Sequence, residues 1–313
     1  MNLRISTAPH IRSRLTTATL MMNVIIALVP CVIAGIYNYG WDVAQVLAVS
    51  IGTAMISEYL FRLIAKRKNR VGDLSALVTG LIFGLNLPPR APLWMAMIGS
   101  AFAIIIVKEI FGGIGDNFMN PALTARAVLL ASWPVHMTTF IMPRVADGVD
   151  AIASATPLIT KSASLMDLFV GNIPGSVGEV SKMMILLGLV YLLVSRTISW
   201  RIPVCMVAST FLMTLTMTGD FMFAVYSILS GGLLFGAVFM ATDYTTSPMN
   251  DIGQIIYAVG CGVIVAIIRQ FGIYPEGVTY AILIMNIVTP LIDKYVRPRV
   301  YGHAKGREAK ANG

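Results

Sequence analysis

Apolar runs separated by short polar breaks cover most of this chain, and their lengths set the first expectation. One run covers residues 17–37 with Pro30 inside it, and a second, 43–64, follows a short polar turn. Further runs occupy 73–86, 93–111 and 121–132. After a long polar interval the pattern resumes at 181–194, 202–218, 221–241, 253–271 and 278–292. A helix rising about 1.5 Å per residue needs roughly twenty residues to cross about 30 Å of hydrocarbon. The third and fifth runs are too short for that, and they stop at Pro88-Pro89 and Trp133-Pro134. The pattern predicts an all-α polytopic membrane protein with about ten transmembrane segments, the shortest being interrupted helices.

Two stretches recur. Thr79-Gly80-Leu81-Ile82-Phe83-Gly84 matches Gly231-Gly232-Leu233-Leu234-Phe235-Gly236, and Lys108-Glu109-Ile110-Phe111-Gly112 resembles Arg269-Gln270-Phe271-Gly272. An odd number of segments per copy inserts the copies in opposite senses. The expected architecture is therefore two inverted five-helix repeats, a layout in which sites lie between the halves. The units are a first membrane repeat at 1–132, a polar loop at 133–180, a second repeat at 181–292 and a basic tail at 293–313. Basic residues at 4–14, 66–70, 196–201 and 294–310 fall on one side of such a chain. That side is cytoplasmic by the positive-inside bias, which puts both termini inside and the 133–180 loop outside. Arg90 and Arg269 fall near the outer face, against the bias.

Composition agrees. The chain is 57% hydrophobic and 12% charged, against about 25% charged in soluble domains. The net charge of +8 is gathered in a few loops, which points to topology and anionic lipid contact with the bilayer and not to nucleic acid. Cys31, Cys205 and Cys261 each sit alone in apolar runs, and His10, His136 and His303 are far apart. That spacing carries no iron–sulfur, haem or zinc signature, so a redox role would rest on a flavin or quinone.

Several polar positions stand out against the oil. Gly112-Gly113-Ile114-Gly115-Asp116-Asn117-Phe118-Met119-Asn120-Pro121 is a glycine-rich turn ending at a helix start. There Asn120 suits the cap and Pro121 the first turn, and the free amides could hold an anion or a flavin carbonyl. Asp243 lies where a helix C-terminus disfavours it. It either caps the following turn, binds a flavin or lies on an ion path. Asp73 reads as the N-cap of the third segment. Glu58 and Arg62 read as an i, i+4 pair snorkelling near the inner surface. Glycines such as Gly80 and Gly236 read as points of close helix packing.

The longest polar interval contains Asp150-Ala151-Ile152-Ala153-Ser154-Ala155-Thr156-Pro157. Small residues give an approaching group room at Thr156, and Pro157 biases Thr156 away from helical geometry. This Asp-x-x-x-Ser-Ala-Thr run resembles the flavin acceptor motif of the NqrB/RnfD family. The family pattern has Gly second and Ser or Thr fourth, where this chain has Ala151 and Ala153. Pro9-His10-Ile11-Arg12-Ser13, Leu87-Pro88-Pro89, Asn120-Pro121-Ala122, Ala241-Thr242-Asp243 and Gly277-Val278-Thr279-Tyr280 extend the resemblance along the chain. The short leader before the first span is similar to the RnfD branch more than to NqrB.

The resemblance implies a membrane flavoprotein subunit of an Rnf complex, an ion-translocating ferredoxin:NAD oxidoreductase coupled to Na+ or H+ transport. It implies covalent FMN, moved from FAD onto Thr156 as a phosphoester by a flavin transferase, with Asp150, Ser154 and Ala155 completing the motif. A second, non-covalent flavin such as riboflavin would lie in the membrane, with Asn120 and Asp243 as its candidate residues. Arg144 or Lys161 would pair with the phosphodiester. Implied partners are the other Rnf subunits, A, B, C, E and G, in the inner or plasma membrane. The layout alone also suits a small-solute channel resembling the urea transporters or a purely structural subunit, and within the family an NqrB-type quinone reductase subunit.

Overall fold

The helices begin and end where local chemistry tells them to. The computed structural model describes residues 16–143, the backbone of 153–154, 164–272 and 277–296. Helix α1 (Thr17–Tyr39) starts at Thr16, whose hydroxyl accepts the Thr19 N–H at 3.3 Å. A single residue, Gly40 at φ 73°, joins it to α2 (Trp41–Ile64), a turn that a side chain at this position would strain. Helix α3 (Ser75–Leu85) follows. Its cap differs from the expectation by one position: Leu74 occupies the left-handed cap, while Asp73 Oδ1 accepts from Ser75 N–H (2.9 Å) and Ser75 Oγ–H (2.6 Å). Helix α4 (Leu93–Phe102) runs on into a π-helical stretch, Ala103–Glu109. Helix α5 (Pro121–Ser132) and the short α6 (Pro134–Thr138) close the first half.

The polar interval then makes a two-residue antiparallel pairing, β1 (Phe140–Ile141) with β2 (Ala153–Ser154), in the register Phe140↔Ser154. It continues through α7 (Leu165–Val170). The next stretch, 171–181, is no surface loop. Ile173, Val177, Glu179 and Val180 are all buried. Val177 N–H and Gly178 N–H donate to the carbonyls of Leu87 (3.2 Å) and Leu85 (2.7 Å), just beyond and at the end of α3, and Tyr39 Oη–H donates to Ile173 O at 3.3 Å. Backbone groups of this plug at Ile173, Val177 and Gly178 are thus satisfied by the segments it enters, as a buried irregular stretch requires.

The second half comprises α8 (Lys182–Val194), α9 (Arg201–Thr218), α10 (Phe221–Leu229), α11 (Leu233–Phe235), a second π-helical stretch Gly236–Met240, α12 (Asp251–Phe271) and α13 (Val278–Tyr295). The run at 221–241 is thus not one helix: it bends by 62° between α10 and α11. The break frees carbonyls that an apolar interior cannot solvate. Arg269 of α12 donates to Ser227 O (2.5 Å) and Ser230 O (3.2 Å), and Lys182 donates to Gly231 O (3.1 Å). Arg269 thus serves the backbone at this break. Arg90 pairs with Asp42 at 3.0 Å on the surface.

Among the described residues, four helices are long and apolar enough to cross a membrane: Thr17–Tyr39, Trp41–Ile64, Arg201–Thr218 and Asp251–Phe271. The bent pair makes up to five. The chain is therefore an all-helical multi-pass membrane protein apart from the small β pairing. The packing of the two halves runs in parallel: α2 lies against α3 and α4, α9 against α10 and α12, with α1 meeting α8 and α5 meeting α13 across the middle. Gly80 sits where α3 crosses α2, and a Cβ there would lie 2.9 Å from Ile51 Cα and from Ser50 O. Helix α13 runs three residues into the stretch expected as tail.

Candidate functional site

A cavity of about 80 Å³ lies between the halves. That is below the roughly 300–1,000 Å³ of small-molecule sites, so a ring-sized ligand enters only as the lining side chains move apart. Its lining is mostly apolar, with Val24, Val78 and Ile82 from the first half and Phe239, Val238 and Leu192 from the second. Polar groups gather along part of its lining: Asn117, Asn120, Asp243, Thr245 and Lys108. Two positions nominated separately from the sequence, Asn120 and Asp243, thus meet at one site.

Each is placed by local chemistry. Asn120 is the N-cap of α5: its Oδ1 accepts the Leu123 N–H at 3.2 Å, and its Nδ2 donates across to Met240 O at 3.3 Å. Pro121 holds the first turn, as expected from the sequence. Asp243 follows the second π stretch. It both caps the turn and lines the cavity, so capping and a place at a binding site are compatible in one side chain. Its Oδ2 accepts from the hydroxyls of Thr245 (3.1 Å) and Thr246 (3.3 Å). It keeps some accessible surface, yet the surrounding protein pushes its carboxyl above the ordinary aspartate value, against the opposing pull of these hydrogen bonds.

Asn286 of α13 ties the two lining loops together. With its amide oriented to satisfy both ends, the nitrogen donates to Thr246 O (3.3 Å) and the oxygen accepts the Asn120 N–H (3.1 Å). Asn117, missed as a site residue by the sequence reading, donates to Thr245 Oγ1 at 3.2 Å across the halves. Its Oδ1 is buried without a hydrogen-bond partner among the described residues. A buried acceptor left in that state costs free energy until a donor arrives.

Behind one wall lies a cluster of charges. Glu58 Oε1 is 3.1 Å from Lys108 Nζ and 3.3 Å from Arg62 Nη2, and Arg62 Nη2 is 2.8 Å from Glu109 Oε1. The expected Glu58–Arg62 pair forms, but it does not snorkel: Arg62 is 4% exposed and Glu58 fully buried. The reason is the π stretch, which turns Lys108 and Glu109 inward together and gives the pair counter-charges inside the protein.

A second buried set joins three elements. Arg126 of α5 donates to Asn86 Oδ1 (2.6 Å) after α3 and to Glu179 Oε1 (3.1 Å) in the plug. Of the acceptor motif, Ser154 is described only through its backbone in β2. Asp150, Ala155 and Thr156, with Arg144 and Lys161, lie outside the described residues.

An all-helical multi-pass membrane protein with a small, polar-edged cavity flanked by two π-helical stretches is the class these features define. The sequence matches the NQR2, RnfD, RnfE family over residues 4–302, and the chain belongs to that family. It is 44% identical over 322 aligned residues to the D subunit of the Na(+)-translocating ferredoxin:NAD(+) oxidoreductase complex of Acetobacterium woodii, with 99% of each chain covered. It is 40% identical over 320 residues to the D subunit of the proton-translocating ferredoxin:NAD(+) oxidoreductase complex of Clostridium ljungdahlii, covering 95% of this chain and 96% of that one. It is 38% identical over 338 residues to the D subunit of an ion-translocating oxidoreductase complex of Halorhodospira halophila, with 95% of each covered.

Proposed function

We propose that this chain is the D subunit of an Rnf-type complex, a membrane flavoprotein that passes electrons between ferredoxin and NAD while Na+ or H+ is moved. The observation that carries the reading is near full-length identity to subunits of that name. Their names divide between the two ions, so the ion is left open. The other Rnf subunits (A, B, C, E and G) are the proposed partners, and a flavin transferase matures the chain.

Thr156 is the proposed anchor of FMN. Its Oγ forms a phosphoester with the FMN phosphate of FAD as AMP leaves. The membrane cavity is the proposed seat of a second, non-covalent flavin such as riboflavin. The chemistry of the lining suits a flat heteroaromatic group, for which the side chains around this small cavity would move apart. Most of the lining is apolar, Asn117 Oδ1 offers an acceptor with no partner among the described residues, and the amino end of α5 lines the same space. Bound flavin supplies acceptance and donation of single electrons. Asn117, Asn120 and Asp243 bind and orient, and the aliphatic walls exclude water.

The finer architecture belongs to the same proposal: about ten crossings as two inverted repeats with both termini cytoplasmic and the Thr156 loop outside. The parallel packing of the two halves and the two π stretches support it.

The test is in-gel fluorescence of the denatured subunit isolated from its complex, with mass spectrometry of the Thr156 peptide. Fluorescence that survives denaturation, together with an FMN-sized mass increment on that peptide, is the expected result. Thr156→Ala abolishes both. An unmodified Thr156 in mature complex would refute the assignment of the anchor.

A further inference from the structure

Among the described residues lining the cavity, Lys108 carries the only positive side chain and Asp243 the only carboxyl. Lys108 is 2% exposed. Burying an ammonium costs several kcal/mol unless it is paired, and an apolar residue of similar volume fills space at lower cost. Its setting is elaborate. The π stretch presents it inward beside Glu109, Ser75 Oγ receives one of its N–H groups at 2.5 Å, and Glu58 Oε1 receives another at 3.1 Å. Glu58 is itself held by Arg62, and Arg62 by Glu109.

The four charges sum to zero, but they are not evenly presented. Lys108 is the member on the cavity wall, while Glu58, Arg62 and Glu109 stand behind it. Of this cluster, Lys108 alone lines the cavity, and Asp73 adds a further carboxylate behind it through Ser75 Oγ. The amino end of α5 lines the same space through Asn120, Pro121 and Ala122, and helix amino ends favour negative charge. A fixed cation beside a site stabilises charge that develops there and needs no rearrangement to do so.

We propose that Lys108, restrained by Glu58, sets the reduction potential of the flavin in this cavity by favouring its reduced, more negative form. This rests on the reading of the cavity as a flavin site. Lys108 is a tuning residue that acts through its field, and Glu58 is the counter-charge that limits that field. Removing the two charges therefore shifts the potential in opposite directions, which loss of packing alone does not do.

The experiment uses the full-length Thr156→Ala chain in detergent, free of covalent FMN, with riboflavin as the probe. Flavin fluorescence gives the affinity for the oxidised form, and dye-equilibrated spectroelectrochemistry gives the midpoint potential of the bound form. By a thermodynamic cycle, the potential shift equals the change in preference for reduced over oxidised flavin. Lys108→Met is expected to lower that preference at least about tenfold and move the potential negative. Glu58→Gln moves it positive, and Lys108→Arg, which keeps the charge, holds the parent value. Should Lys108→Met fail to fold, the Arg and Glu58→Gln variants still decide the sign. Potentials that do not move, or that move the same way in Lys108→Met and Glu58→Gln while riboflavin stays bound, overturn the role of Lys108. A Thr156→Ala chain that takes up no riboflavin overturns the flavin reading of the cavity, and this inference with it.

Discussion

At the scale of single residues, the cavity is built from side chains that each do two things. Asn120 caps a helix and lines the site, and Asp243 caps a turn and lines it from the other half. Both were legible in the sequence because capping chemistry is local: Asn before Pro, and Asp at the wrong end of a helix, are visible without a fold. Asn117 and Lys108 were not legible as site residues. Asn117 matters through a contact to Thr245 on the far half, and Lys108 through a π register that regular helical spacing does not reveal. The Glu58–Arg62 pair was visible, but its depth was not, because its counter-charges arrive about 50 residues later.

Asp243 yields a signed prediction at this scale. Its folded value lies above the ordinary one, so the folded protein favours the protonated form. The stability this confers is fully present below the unfolded value and is lost as pH rises through the raised value. Asp243→Asn, neutral throughout, should therefore show a higher Tm than the parent at pH 8. The gain should fade as pH drops toward and below the ordinary aspartate range. Thermal unfolding in detergent across that range checks it, and a gain that grows on acidification contradicts it.

At the scale of elements, close approach governs. Most of the helices lie near the runs expected, since length and apolar content are properties of contiguous sequence. The bend between α10 and α11 was hidden inside a run that reads as one span. The groups that make it tolerable, Arg269 and Lys182, come from other elements. The crossing of α2 with α3 offers a matched test. Gly80→Ala places a methyl against backbone atoms of α2 at 2.9 Å and should destabilise by about 1–3 kcal/mol. Gly52→Ala, with nothing within 4 Å of the new Cβ, should be neutral or gain about 0.5–1 kcal/mol through helix propensity. Equal losses in denaturation of the two variants would show that the crossing is not close-packed.

At the scale of the whole molecule, the polar interval is tied into the membrane body. Arg126 binds both Asn86 and Glu179, linking α5, the end of α3 and the plug in one buried set. Glu179→Ala should destabilise by about 3–5 kcal/mol, because it removes the carboxylate that balances the buried charge of Arg126. The double variant Arg126→Met with Glu179→Leu should recover most of that loss. If Glu179→Ala unfolds at the parent temperature, the plug is not anchored by this pair. None of this was readable from the sequence, where 171–181 looks like the tail of a loop and its partners lie in other segments.

The cavity draws its lining from Met21 at one extreme and Thr245 at the other, and Asn286 fastens its two loops from behind. During synthesis, then, the pocket is not complete until residue 286 has left the ribosome and α13 has docked. A nascent chain cut short before residue 286 should emerge empty.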